Sequence, residues 1–198
     1  MNDFPVDLVV TYVDNTDNIW RNSISKYSHQ SDSVNRYRSY GLLKYWLRGV
    51  ALNMPFIRTV HLVVSNIEQV PQYVDQNKVH VVLHKDIIPE NLLPTFNSTT
   101  IEMFLHKIPG LAEHFIYSND DLYAINSMTA DDFFNDGKPI YQLKFYSMHA
   151  RRKTTYCMNV NSCMLAMKHA AVRDTQYKLC HMSHGMHGML KSVNEEIS

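Results

Sequence analysis

The sequence is short of cysteine, of net charge and of long apolar runs, and each shortage closes off a class of protein. Its three cysteines, Cys157, Cys163 and Cys180, cannot all pair within one chain, and no two of them stand as C-x-x-C. A disulfide framework and a zinc-ribbon signature are therefore excluded, and a reducing compartment is expected. Lys and Arg together number 19, as do Asp and Glu, so the formal net charge is zero. Without a basic excess no nucleic-acid partner is expected. No stretch reaches the ~18 consecutive apolar residues of a membrane span. The N-terminal MNDFPVDLVVTYVD has neither the basic region nor the long apolar core of a signal peptide. Internal repeats, low-complexity segments and linkers are missing as well. These absences leave a soluble, cytoplasmic chain organised as a single domain over residues 1–198.

What is present is an alternation of strand-like and helix-like segments. VDLVVTYVD (6–14) is apolar, β-branched and closed by polar residues, as a buried strand is. Residues 15–33 are polar and read as a loop with some helix. Residues 40–52 carry Leu43, Leu47, Val50 and Ala51 at helical spacing, and Pro55 stops them. TVHLVVS (59–65), KVHVVLH (78–84) and HFIYSND (114–120) are further strands, and KPIYQLKFYSM (138–148) a candidate fifth. Residues 97–107 form a helix with Ile101, Phe104, Leu105 and Ile108 on one face, and 157–172 form another. Strands alternating with helices predict an α/β sandwich with a mainly parallel sheet, whose ligands sit beyond the carboxyl ends of the strands. Polar clusters fall at those ends: Asp14 and Asp17, His84-Lys85-Asp86, and Asn119-Asp120-Asp121.

Each cluster has a chemical and a plain reading. Asp120 and Asp121 offer adjacent carboxylates that repel unless a hard cation lies between them, which suits Mg²⁺ or Mn²⁺; Asn and Asp are also common in turns. Asp14 and Asp17 fit a substrate hydroxyl or an Asx-turn. Trp20 fits stacking on a ligand or packing in the core. Arg36, Arg38, Lys44 and Arg48 lie within thirteen residues, 36–48. Lys44 and Arg48, four apart on one helix, repel unless an anion such as a diphosphate lies between them, or they simply face solvent. Asn97 and Ser98 stand where a helix start can hold an anion or be capped. Five of the eleven histidines follow residue 148, and His181, His184 and His187 recur every third residue. They suit a general base or a phosphate contact, with zinc and a structural role as alternatives.

Taken together these segments resemble the Stealth family. VDLVVTYVDNTDNIW is similar to its first conserved region, YRSYGLLKYWLRGV through HFIYSNDDLYAI to its second, and HMSHGMHGMLKS to its third, in the family's order. Asn15 stands where the family usually has glycine, and its fourth region is not found, so the chain reads as truncated at its C-terminus. The resemblance implies a Rossmann-like, glycosyltransferase-like three-layer sandwich. It implies a sugar-1-phosphate transferase that moves a hexose 1-phosphate from a nucleotide sugar to a hydroxyl of a polysaccharide or glycan acceptor, in capsule or exopolysaccharide synthesis. Mapped onto this chain, the family's N-D-D motif is Asn119-Asp120-Asp121, with Asp120 and Asp121 holding Mg²⁺ or Mn²⁺. Arg38, Asp121 and His181 or His184 take catalytic roles, and Asp14, Asp17, Lys44, Arg48, Asn97 and Ser98 bind substrate. The resemblance also allows peripheral membrane association through a capsule assembly complex. Two rival readings remain: a metal-dependent glycosyltransferase, and an inactive truncated member that binds glycan or nucleotide.

Overall fold

VDLVVT is buried on both faces because an apolar layer covers each side of the sheet it joins. The computed structural model describes residues 3–27, 37, 39–140, 143–146, 179–182 and 185–197. The chain divides into two compact units, Met1–Ile140 with Gly185–Ser198, and Tyr141–His184. In the larger unit the strands are β1 (Val6–Thr11), β2 (Ile57–Val64), β3 (Val79–Leu83), β4 (His114–Asn119), the short β5 (Phe134–Asn135) and β6 (Lys138–Pro139), and β9 (His187–Leu190). In the smaller one β7 (Leu143–Tyr146) pairs antiparallel with β8 (Leu179–Met182).

The central sheet has the order β3-β2-β1-β4-β9. Its first four strands are parallel and β9 runs antiparallel to β4. The order reverses between β1 and β4, and such a switch point opens a crevice at the carboxyl ends of the strands. Helix α1 (Asn18–Tyr27) follows β1, α2 (Leu43–Asn53) precedes β2, and the one-turn α3 (His84–Ile87) follows β3. Leu43, Trp46 and Val50 are the buried side of α2 and pack on Leu8, Val10, Leu62 and Ile116, one face of the sheet. On the other face Val9, Val63, Phe115 and Tyr117 meet Ile101, Leu105 and Ile108. Two apolar layers sandwich one mixed, mainly parallel sheet, as the alternation predicts.

Three local readings change. The helix expected over 97–107 is α4 (Ser98–Met103), which tightens into a 3-10 turn over Leu105–Lys107. Residues 138–148 do not form one strand: β6 and β7 share them, in separate sheets. The fifth strand of the central sheet comes instead from β9. Gly188 lets it approach, since a Cβ there would lie 2.7 Å from the Phe133 carbonyl oxygen. The helix expected over 157–172 lies outside the described residues.

A buried charge network closes the amino end of the sheet. The fully buried Asp7 accepts from Arg58 Nε at 2.8 Å and Nη2 at 2.6 Å, and from the Ala112 backbone N–H at 2.8 Å. His61 Nε2 lies 3.0 Å from the same carboxylate, and His61 Nδ1 lies 2.8 Å from His80 Nδ1. Burial alone would raise the Asp7 pKa, but the His61, Arg58 and Ala112 contacts outweigh it and hold the carboxyl well below the usual range.

Candidate functional site

At the opposite, carboxyl end of the sheet a cleft of about 290 Å³ opens between β1 and β4. Thr11 and Tyr12 come from the end of β1, and Asn119, Asp120 and Asp121 from the end of β4. Ser65 and His84 follow β2 and β3, and Trp20, Tyr37 and Phe96 form an aromatic wall. Trp20 meets Tyr37 edge to face at 4.9 Å and Phe96 at 5.9 Å. Of the two readings of Trp20, packing is realised, with its ring buried while still bordering the cleft.

Asp120 is half-buried and Asp121 exposed. Burial first, and the neighbouring Asp121 charge second, push the Asp120 carboxyl up to about 6. The loop that carries the pair is pinned on both sides. Before it, the Tyr117 hydroxyl lies 2.9 Å from Asn119 Oδ1, 3.1 Å from Thr11 Oγ1 and 3.2 Å from Glu102 Oε1. After it, Asn53 Nδ2 donates to the Ala124 carbonyl at 2.7 Å, and the Met128 N–H donates to the Asn53 carbonyl at 2.8 Å. The acidic pair is therefore fixed by groups far from it in sequence. Tyr12 lies beside it, its hydroxyl 3.1 Å from Ser39 Oγ. Burial pushes the Tyr12 phenol up to about 12; the Ser39 contact opposes this, and the charges of Asp14 and Asp120 add to it.

The other residues singled out in the sequence are placed as follows. Asp17 is the N-terminal cap of α1: its carboxylate accepts from Ile19 N, Trp20 N, Asn66 Nδ2 and Gln69 Nε2 at 2.7–3.2 Å. Burial opposes ionisation there, and these donors overcome it, so its pKa is lowered. Asp14 closes an Asx-turn, with Oδ1 accepting from Thr16 N at 2.8 Å and Thr16 Oγ1 at 2.7 Å. Its backbone is clamped by the Gln69 amide, which exchanges bonds of 2.6 and 3.0 Å with it. Lys44 and Arg48 are exposed on α2 and flank the Tyr45 ring at 5.0 and 5.7 Å. Neither borders the cleft. Asn97 caps α4 by accepting from Thr99 N at 3.0 Å, and Ser98 borders the cleft. The backbone of His181 lies on β8 opposite Lys144. Arg38 and His184 lie outside the described residues.

His84 is a cleft residue that the sequence places only at a strand end. It is 8% exposed, and burial pushes its imidazole down to about 4, so it is neutral near pH 7. Its signal in the sequence was weak, because a histidine after an apolar run fits a core position equally well. Gln69, 1% exposed, is the second residue missed. From more than fifty residues further along the chain it ties Asp14 to Asp17, and no local pattern announces that.

The acidic pair fits a hard divalent cation. Its donors are carboxylate oxygens, one of them held ionisable only at a cost that a cation would remove. Among the described residues no three His, Cys, Asp or Glu side chains gather as a complete metal cage. Two carboxylates with the remaining positions left to water and phosphate is the arrangement Mg²⁺ prefers. Also among the described residues, no helix is long and apolar enough to cross a membrane.

Comparison with known proteins gives the family. The family model described as Stealth protein CR2, conserved region 2, matches residues 36–141, a span that includes Lys44, Arg48, Asn97, Ser98, Asp120 and Asp121. The chain is 44% identical over 141 residues to the exopolysaccharide phosphotransferase cps2G of Lactiplantibacillus plantarum, covering 69% of this chain and 41% of that protein. It is 39% identical over 166 residues to the receptor polysaccharide phosphotransferase WefC of Streptococcus oralis, covering 79% and 49%. To the WefC of Streptococcus gordonii it is 32% identical over 200 residues, covering 95% and 60%. The chain thus spans about half the length of the curated relatives it matches. With its second conserved region matched over more than half the sequence and the acidic pair of that region at the switch point of the sheet, this chain belongs to the Stealth family.

Proposed function

We propose that this chain carries the core of a sugar-1-phosphate transferase, which moves a hexose 1-phosphate from a nucleotide sugar to a hydroxyl of a polysaccharide acceptor. The observation that carries the proposal is the half-buried Asp120 beside Asp121 at the switch point of a sheet in a Stealth protein. The phosphotransferase names of its relatives support the same reading.

The acceptor oxygen attacks the β-phosphorus of the donor, and the bond from that phosphorus to the bridging oxygen of the diphosphate breaks. The products are a phosphodiester and a nucleoside monophosphate. The C1–O bond of the sugar is untouched, so its anomeric configuration is retained. His181 or His184 takes the proton of the acceptor hydroxyl. Arg38 meets the charge of the diphosphate, Lys44 and Arg48 attract the anionic donor at longer range from the exposed side of α2, and Ser98 and Asn97 contact the donor near the start of α4. Asp120 and Asp121 would hold Mg²⁺ or Mn²⁺, which would supply positive charge against the phosphates. Tyr117 and Asn119 keep the acidic loop in place without touching substrate. The work takes place in the cytoplasm, with the protein associating peripherally with a capsule assembly complex at the membrane.

The test is product analysis. The protein is incubated with a panel of nucleotide sugars, Mg²⁺ and a polysaccharide acceptor. Release of nucleoside monophosphate supports phosphotransfer; release of nucleoside diphosphate identifies a glycosyltransferase and sinks the proposal.

A further inference from the structure

Away from the acidic cleft, β2 and β3 run parallel with His61 and His80 at the same register, so both rings stand on one face of the sheet. His61 Nδ1 lies 2.8 Å from His80 Nδ1. The ring centroids are 5.0 Å apart and the planes cross at 70°. The two rings have different surroundings. His61 is 2% exposed, and its other nitrogen, Nε2, lies 3.0 Å from Asp7 Oδ2. Asp7 is held ionised and can only accept, so His61 Nε2 carries the proton and Nδ1 presents a lone pair. His80 is exposed on β3, an outer strand of the central sheet. Partial burial first, and the charge of His61 second, lower its pKa, so it too is neutral near pH 7.

Two neutral imidazoles that meet nitrogen to nitrogen can be satisfied in two ways. One is a shared proton, with His80 Nδ1–H donating to His61 Nδ1. The other is a cation that takes a lone pair from each ring. At metal–nitrogen distances of about 2.0–2.1 Å, two neighbouring ligands of one ion stand about 2.9–3.3 Å apart. The rings already stand close to that separation, and a small shift of the exposed His80 ring admits the ion. The outer contacts favour the cation. A carboxylate on the far nitrogen of a ligating histidine fixes its tautomer and orientation and makes it a better donor. Asp7 fills that place for His61 and is itself held by Arg58 and the Ala112 N–H. Arg58 Nη2 also donates to the Gly110 carbonyl at 2.8 Å, which anchors this outer layer to the backbone. The negative charge of Asp86 reaches His80 from beyond β3.

We propose that His61 Nδ1 and His80 Nδ1 form a two-histidine site for a zinc-class divalent cation, completed by water, with Asp7 as the outer partner of His61. Imidazole donors suit Zn²⁺, Ni²⁺ and Cu²⁺, whereas the oxygen donors of Asp120 and Asp121 suit Mg²⁺, so the two sites differ in donor chemistry as well as in place. On binding, the His80 proton moves from Nδ1 to Nε2 through solvent and both Nδ1 lone pairs go to the ion, with each imidazole left neutral. The ion staples the outer strand β3 to β2. The inference is independent of the phosphotransferase reading.

The full chain, free of any histidine tag, is titrated with zinc chloride in excess Mg²⁺, which competes for the acidic pair. Binding is followed by calorimetry, by Tm and by two-bond ¹H–¹⁵N spectra of the histidine rings. Zinc should bind with a saturating curve and raise Tm, and two Nδ1 signals should move to the metal-bound position while the His61 Nε2–H is kept. His80→Ala replaces an exposed side chain, and circular dichroism checks that it folds. It should remove one equivalent of zinc, reduce the rise in Tm and abolish both Nδ1 shifts. Zinc bound with the same stoichiometry and affinity in His80→Ala overturns the site and places the ion on other histidines or on cysteines. No zinc binding, or binding with the two Nδ1 signals unmoved, also overturns it and leaves a shared proton as the whole of the His61–His80 contact. Turnover enters none of these readouts, so the phosphotransferase reading stands or falls separately.

Discussion

The hydroxyl of Tyr117 and the side-chain oxygen of Asn119 stand 2.9 Å apart across the last residues of β4. Tyr117 is buried in the sheet core and Asn119 opens the acidic motif, so this contact ties the loop to the buried core. Tyr117→Phe removes the hydroxyl and leaves Thr11 and Glu102 without that partner. The expected loss is about 1 kcal/mol of stability by urea denaturation. Turnover should fall through kcat more than KM, because the change acts on the position of Asp120 and not on a substrate contact.

Asp120 should show opposite effects on stability and activity. Its carboxyl is raised to about 6 by burial and by Asp121, so its ionised form costs stability at neutral pH. Asp120→Asn should stabilise the metal-free protein by about 1 kcal/mol, a rise in Tm of roughly 2–4 °C. The same change should abolish turnover and remove any rise in Tm that Mg²⁺ or Mn²⁺ produces in the unaltered protein. Unchanged turnover in Asp120→Asn would contradict the site.

Stability should depend on pH through His84. Its imidazole is pushed from 6.5 down to about 4 by burial, so the folded state resists a proton that the unfolded state accepts. The contribution is full above pH 6.5 and is lost as pH falls from 6.5 toward 4. A shift of this size caps the loss at roughly 3 kcal/mol. Burial lowers His80 and His106 as well, so both add in the same direction. His84→Gln should flatten the fall between pH 6.5 and 4 in urea titrations; an unchanged slope would assign the fall to the other two.

The Asp7 network gives the converse case. Because its folded pKa lies below the ordinary 3.8, the stability it contributes is present above pH 3.8 and lost as pH falls below it. Asp7→Ala strips the carboxylate from Arg58, His61 and the Ala112 N–H and should cost about 3 kcal/mol at pH 7. Asp7 lies at the amino end of β1, away from the cleft, so nucleotide affinity in the folded fraction should not change. A loss of affinity at temperatures where the variant remains folded would place this network in the functional machinery.

Much of this molecule is legible from local sequence. The runs at 6–14, 59–65, 78–84 and 114–120 become β1 to β4, because β-branched apolar runs closed by polar residues suit strands covered on both faces. The period of Leu43 and Val50 places α2, and the position of Asn119-Asp120-Asp121 after an apolar run puts the pair at the carboxyl end of the sheet. β9 was hidden: HGML is four residues without alternation, and it becomes a strand only because β4 offers it an edge and Gly188 fits under Phe133.

Strand and helix types, the family motifs and their order follow from side-chain periodicity and residue chemistry within short windows, so they can be read from the chain alone. The sequence could not decide between Asp17 and Asp120, two carboxylates that each follow a strand. The tertiary structure did so through contacts distant along the chain. Asn66 and Gln69 arrive from beyond β2, join the backbone N–H groups of α1 and satisfy Asp17, lowering its pKa and engaging it as a cap. Asp120 is enclosed without enough donors and left next to Asp121, which raises its pKa and leaves a charge that a cation could neutralise. The difference is one of desolvation against hydrogen bonding, and both depend on what folding brings near.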